Sequence, residues 1–185
     1  MIQNTIEPMT HEYKKKLIKY LFLCILSEGS KIILFSLIFL RLHLFSEFLF
    51  SITLLIFLRT NGGGLHFKYY TSCLIVSFLI ILGSINLGIY LPLKDLASKI
   101  SLIICIFLGY RYAPVTSSNR PPANDRLIKK SKRNTVIILA IYLALICMIP
   151  LNQYFNIGTW VIIIHIFQLL LAKFTKGRKN KCGTR

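Results

Sequence analysis

Acidic side chains are scarce in this chain: six Asp and Glu stand against 23 Lys and Arg, and the formal charge is +17 over 185 residues. The two aspartates, Asp95 and Asp125, fall in polar breaks between apolar runs. That excludes an intramembrane aspartyl enzyme, whose chemistry needs two facing carboxyls. Four histidines are scattered with no carboxylate cluster beside them, so a metallopeptidase finds no support and neither a metal nor any other cofactor is expected. Cysteine occurs five times (Cys24, Cys73, Cys105, Cys147 and Cys182), with no C-x-x-C pair. The odd count and the spacing argue against both a disulfide framework and a zinc site. Residues 1–20 hold Glu7, Glu12 and four lysines, with no small-residue cleavage site after an apolar core, so a cleavable signal peptide is not expected. Internal repeats and low-complexity segments are lacking as well.

Apolar residues are abundant. They make up 55% of the chain, at a mean hydropathy of +0.63, and they come in blocks. Such blocks predict an all-α integral membrane protein, a single membrane domain of about six transmembrane or re-entrant helices. The basic excess fits nucleic acid, anionic lipid or an acidic polypeptide. Nucleic acid is set aside, because most of the basic residues sit in short loops between apolar runs, the pattern of cytoplasmic membrane loops.

In chain order, residues 11–27 read as an amphipathic helix lying on anionic membrane lipid, with Lys14, Lys15, Lys16 and Lys19 ahead of an apolar run. Ser27-Glu28-Gly29-Ser30 is expected to interrupt it. Residues 29–58 read as a helical hairpin. A single span there would bring Arg41 and Glu47 toward mid-membrane at about 2.5–3.5 kcal/mol each. Each arm of the hairpin would be about 14–16 residues, short of the ~20 of a full crossing, so a re-entrant pair is an alternative. Clearer spans follow at 73–91, 96–112, 135–151 and 157–172. A basic loop fills 113–134, and 173–185 is a basic tail. With six crossings or their equivalent, one side receives all of the 23 Lys and Arg except Arg41, Lys94 and Lys99. This asymmetry predicts a multi-pass membrane protein with both termini, the basic loop and residues 59–72 in the cytoplasm.

Cys24, Cys105 and Cys147 lie inside apolar runs, where cysteine behaves as a small hydrophobe. Cys73 differs: it follows the polar, glycine-rich stretch Arg59-Thr60-Asn61-Gly62-Gly63-Gly64-Leu65-His66 by seven positions from the histidine. A thiol and an imidazole brought together form a nucleophile and its base. Arg59 and Lys68 would favour the anionic sulfur, and the N–H groups of Gly62, Gly63 and Gly64 would offer a nest for an oxyanion. The spacing alone fits equally a structural histidine at a helix end and a buried cysteine at the start of a span. On one straight helix the pair would share a face about 10.5 Å apart, too far for a base that must come within roughly 3 Å. The chain must therefore bend between Gly62 and Cys73, or a homodimer must supply one partner from a second copy. Among the remaining polar positions, Asn86 is expected to hydrogen-bond between helices, and His165 and Gln168 to share a packing hydrogen bond.

The pattern Arg59-x4-Gly64-x-His66-x6-Cys73 resembles the signature of the accessory gene regulator B (AgrB-like) family, membrane peptidases of peptide quorum sensing. Tyr112-Ala113-Pro114, Arg120-Pro121 and Arg126-Leu127-Ile128-Lys129-Lys130 resemble a second stretch of that family in the right order, and the likeness covers roughly residues 10–175. The resemblance implies a cysteine endopeptidase that removes the acidic C-terminal tail of a short amphipathic propeptide and forms an acyl-enzyme thioester. An internal thiol or hydroxyl of the peptide then closes a thiolactone or lactone. It implies Cys73 as nucleophile and His66 as general base, with Arg59 orienting substrate and Lys129, Lys130 and Arg133 docking the tail. A non-enzymatic polytopic protein, a small transporter or signalling subunit, is the alternative.

Overall fold

The computed structural model describes residues 11–63, 70–114, 125–150 and 152–182. Six helices account for nearly all of them: α1 (His11–Arg41), α2 (Phe45–Gly62), α3 (Tyr70–Tyr90), α4 (Asp95–Tyr112), α5 (Asp125–Met148) and α6 (Gln153–Cys182). Three of these, α3, α5 from Arg126 and α6 as far as Phe174, are long and apolar enough to cross a membrane. α4 is shorter and carries Asp95, Lys99 and Arg111 in 18 residues. Among the described residues no strand of a sheet competes with the helices.

The outside of the bundle is apolar and the inside is partly polar. Leu37, Leu49, Ile75, Leu79, Ile103, Phe107, Ile141 and Phe167 are all exposed, whereas Ser51, Ser77, Ser84, Ser98, Thr135 and Thr159 are buried. Lipid tails are as apolar as leucine, so helices gain nothing by hiding leucines from them. Close backbone approach and small residues hold them together instead. Several inward hydroxyls return to their own helix: Ser84 to the Ile80 carbonyl (2.7 Å) and Thr159 to that of Phe155 (2.8 Å). Such back-bonding satisfies a hydroxyl where no water is at hand.

α6 lies at the centre, against α2, α3 and α4. Its start is fixed by Asn152, whose Oδ1 accepts from the Phe155 N–H at 3.0 Å as an N-cap. Gly88 lets α3 meet it closely: a Cβ there would stand 2.6 Å from the Ile157 Cα and 2.8 Å from its nitrogen. Beyond Gly88, Asn156 accepts from the Leu93 N–H (3.1 Å) and the Trp160 indole donates to the Leu91 carbonyl (3.1 Å). These tie the α3–α4 turn to the start of α6.

α1 and α2 form a hairpin, closed by His43 in a left-handed conformation (φ 56°). Phe39 stacks on Phe48 (4.9 Å) and joins the two arms, and two rings, Phe35 and Phe39, pin the hairpin to Phe78 of α3 (5.5 and 5.9 Å).

The structure departs from the sequence reading in several places. Ser27-Glu28-Gly29-Ser30 does not interrupt the first helix, and α1 runs unbroken for 31 residues, since one glycine without a proline costs only about 1 kcal/mol in a helix. The second arm is longer than expected, 18 residues. α5 begins at Asp125, well inside the stretch read as a loop, because nothing after Pro122 breaks a helix and Leu, Ile, Lys and Arg all favour one. The tail likewise continues α6 as far as Cys182. Cys105 is buried, but Cys147 is exposed on α5. Asn86 is exposed on α3 rather than turned toward another helix.

Candidate active site

α2 stops at Gly62, and the next described helix starts at Tyr70. Gly63 takes φ 80°, a backbone conformation that L side chains rarely adopt. Its N–H donates to the Arg59 carbonyl at 3.0 Å and so closes the last turn of α2. That bond commits a group that the sequence offered to an oxyanion, and Gly62 is likewise inside the helix. Gly64, His66 and Lys68 lie outside the described residues, as does the expected meeting of His66 with Cys73.

Cys73 sits on α3, three residues after Tyr70. Its thiol is partly accessible. Two cations approach this face of α3 from different helices. Lys31 of α1 places Nζ 3.4 Å from the Cys73 Sγ and 2.7 Å from Glu28 Oε1. Arg59 of α2 donates from Nη1 to the Ser77 hydroxyl at 3.3 Å. Ser77 follows Cys73 by four residues, so the guanidinium stands one helical turn, about 6 Å, along the same face. The aromatic side of the pocket is Tyr70, whose hydroxyl is 2.7 Å from that of Ser30 and whose ring lies 5.8 Å from the Lys31 ammonium.

The basic residues expected to dock a peptide tail are on a helix, not a loop. Lys129, Lys130 and Arg133 are all exposed on the first turns of α5, spread over about 100° of the helix circumference. The neighbouring cations are held by rings instead: Lys132 over Tyr110 (4.0 Å) and Lys173 over Tyr112 (5.0 Å). α5 joins the site through Asn61, two residues after Arg59. The Ser131 hydroxyl donates to the Asn61 carbonyl, and the Asn134 amide to the Asn61 side-chain oxygen at 3.1 Å. One end of the bundle therefore gathers the thiol, Arg59 and the three exposed cations.

His165 and Gln168, read as a hydrogen-bonded pair, are not one. Both are buried, and among the described residues neither ring nitrogen of His165 nor the Gln168 Oε1 has a partner. The His165 ring lies beside Gly62: a Cβ on that glycine would stand 3.2 Å from Nε2. Among the described residues no three His, Cys, Asp or Glu side chains converge as metal ligands. Lys31 was missed as a site residue, although a signal was present. Lys31, Phe35 and Phe39 recur every four residues, which places a lysine at the end of an inward-facing aromatic stripe.

The arrangement is that of a helical membrane protein carrying a cysteine in a cationic recess at one end of its bundle. The chain belongs to the accessory gene regulator B family, whose model matches residues 1–169. It is 31% identical over 163 residues to an AgrB-like protein of Clostridium beijerinckii, covering 86% of this chain and 78% of that one. AgrB-like proteins of Clostridium acetobutylicum and Clostridium perfringens are 31% and 28% identical over 110 and 122 residues. Those two alignments cover 55% and 60% of this chain, and the chain spans about half the length of each relative, 53% in both cases. No solved structure matches the chain. Membership of this family and three helices long and apolar enough to cross a membrane agree on a place in the membrane.

Proposed function

We propose that this protein is a membrane-embedded cysteine endopeptidase that trims, and then cyclises, a signalling propeptide, with Cys73 as nucleophile and His66 as general base. The observation that carries the reading is the setting of Cys73: a partly exposed cysteine on α3, with the Lys31 ammonium 3.4 Å from its sulfur. A cation stabilises an anion at that place. A sulfur serving only as packing gains nothing from it.

In this mechanism His66 takes the thiol proton, and the Cys73 thiolate attacks the carbonyl carbon of the scissile peptide bond. The C–N bond breaks, the proton passes to the departing amine, and the tail leaves. The remaining peptide is held as a thioester on Cys73. A thiol or hydroxyl within the peptide gives its proton to His66 and attacks that thioester; the new acyl bond closes the ring, the C–S bond to Cys73 breaks, and the sulfur leaves as thiolate beside the protonated imidazole. Water competes for the same thioester, so an apolar, lipid-bounded site favours cyclisation over hydrolysis. Arg59, fixed by Ser77 one turn from the sulfur, is placed to orient the substrate's carbonyls. The substrate is a short amphipathic propeptide lying on the membrane, and its acidic tail docks on Lys129, Lys130 and Arg133. Both termini and the catalytic stretch face the cytoplasm, as the distribution of Lys and Arg favours.

The test is reconstitution of the full chain in lipid with a candidate propeptide, followed by mass spectrometry of the Cys73 peptide. An acyl adduct on Cys73, absent in Cys73→Ala, together with loss of tail release in Cys73→Ala and Cys73→Ser at unchanged expression, is the expected result. Tail release that survives Cys73→Ala would sink the reading.

A further inference from the structure

Lys31 is the one lysine or arginine among the described residues that is buried, at 2% exposure. Removing an ammonium from water costs several kcal/mol unless it finds partners of opposite charge. Glu28 is one such partner, but it is half-exposed, with 49% of its side chain accessible. An ordinary i,i+3 pair of this kind forms just as well at the helix surface. What turns Lys31 inward is its place in the stripe with Phe35 and Phe39, which the rings of Phe48 and Phe78 hold against α2 and α3. That packing delivers the ammonium to the Cys73 sulfur. The remaining neighbour, the Tyr70 ring, also favours a cation.

We infer that Lys31 is a catalytic residue of this site: its ammonium donates to the Cys73 sulfur and holds it as the thiolate, both before attack and when the sulfur leaves the acyl-enzyme. The inference rests on the reading of Cys73 as the nucleophile. Charge balances through the cycle. With the thiol protonated, Lys31 pairs with Glu28. Once the proton has moved to the base, the ammonium lies between the Glu28 carboxylate and the thiolate, and the extra negative charge is matched by the protonated base. Arg59 bonds Ser77, one turn further along α3, whereas Lys31 bonds the sulfur itself.

The experiment uses the full-length chain in lipid nanodiscs and iodoacetamide as probe, with alkylation at each cysteine followed separately by peptide mass spectrometry at neutral pH. N-acetylcysteine in the same solution serves as the reference. Lys31→Met, close to lysine in volume, should slow alkylation of Cys73 by about tenfold, the effect of losing one close cation from a thiolate. Lys31→Arg should stay within about threefold of the unaltered protein, since it keeps the charge. Ethylammonium added to Lys31→Ala should restore part of the rate. A purely structural lysine predicts the opposite sign, because loosened packing exposes the thiol and speeds alkylation. Unchanged or faster alkylation in Lys31→Met, or a Lys31→Arg as slow as Lys31→Met with no ethylammonium rescue, would overturn the inference. The nucleophile reading stands or falls separately, on whether Cys73→Ala still releases the propeptide tail.

Discussion

Arg59 on α2 and Ser77 on α3 are joined by a 3.3 Å hydrogen bond between the guanidinium and a buried hydroxyl. The bond bridges the helix that ends at the glycine run and the helix that begins just before the thiol. Removing either side should weaken the bundle, and removing both should cost less than the sum. In a double-mutant cycle of Arg59→Ala and Ser77→Ala, read by thermal unfolding in detergent, a coupling of about 0.5–1.5 kcal/mol is expected. Strict additivity would show that the bond carries no stability.

Gly88 and Gly83 lie on the same helix and should respond oppositely. A methyl at Gly88 meets the backbone of Ile157, which cannot rotate away, whereas nothing lies within 4 Å of one at Gly83. Gly88→Ala should destabilise by about 1–3 kcal/mol through overpacking. Gly83→Ala should be neutral or slightly stabilising, since alanine favours the helix. Shortening Ile157 to alanine should not rescue Gly88→Ala. Equal melting temperatures for the two glycine variants would contradict the close α3–α6 approach.

Lys129, Lys130 and Arg133 are exposed, so reversing their charge should leave the helical content untouched. Processing of an acidic-tailed propeptide should fall by about tenfold or more in the triple Glu variant, corresponding to ~1.4 kcal/mol or more of docking energy. The effect should shrink as salt rises, because exposed charges are screened within about 8–10 Å. Processing at the original rate with correct insertion would leave these residues only a topological role.

His165 is fully buried, and among the described residues neither ring nitrogen has a partner. A buried polar group without a partner costs roughly 1–3 kcal/mol. Replacement by leucine should therefore hold or raise the melting temperature. Replacement by aspartate should prevent stable folding. A clear loss of stability in His165→Leu would mean that the imidazole is satisfied in the membrane-bound protein.

The all-α membrane class could be read from blocks of apolar residues broken by Pro92, by the glycine run and by the charges around Arg41 and Glu47, but the separate interfacial helix expected at 11–27 is the first part of α1. Helix continuity was less legible. Gly29 looked like a break, yet tertiary packing carries α1 through it, and the lysines of α5 looked like a loop because charge, not helix propensity, dominated that stretch. Roles set by partners on other helices were the least visible. Counting Lys31 as one more basic residue hid its burial, which depends on Phe48 and Phe78. The engagement of the Gly63 N–H depends on the exact residue at which α2 stops, and composition does not fix that residue.

The stripe that buries Lys31 also makes the site sensitive to register. A slip of α1 by one turn along α3 would set Phe35 near the Cys73 sulfur, a ring where the ammonium now stands. If Lys31 acts as inferred, a shift of α1 by about 6 Å would take the cation from the sulfur without any change in α3.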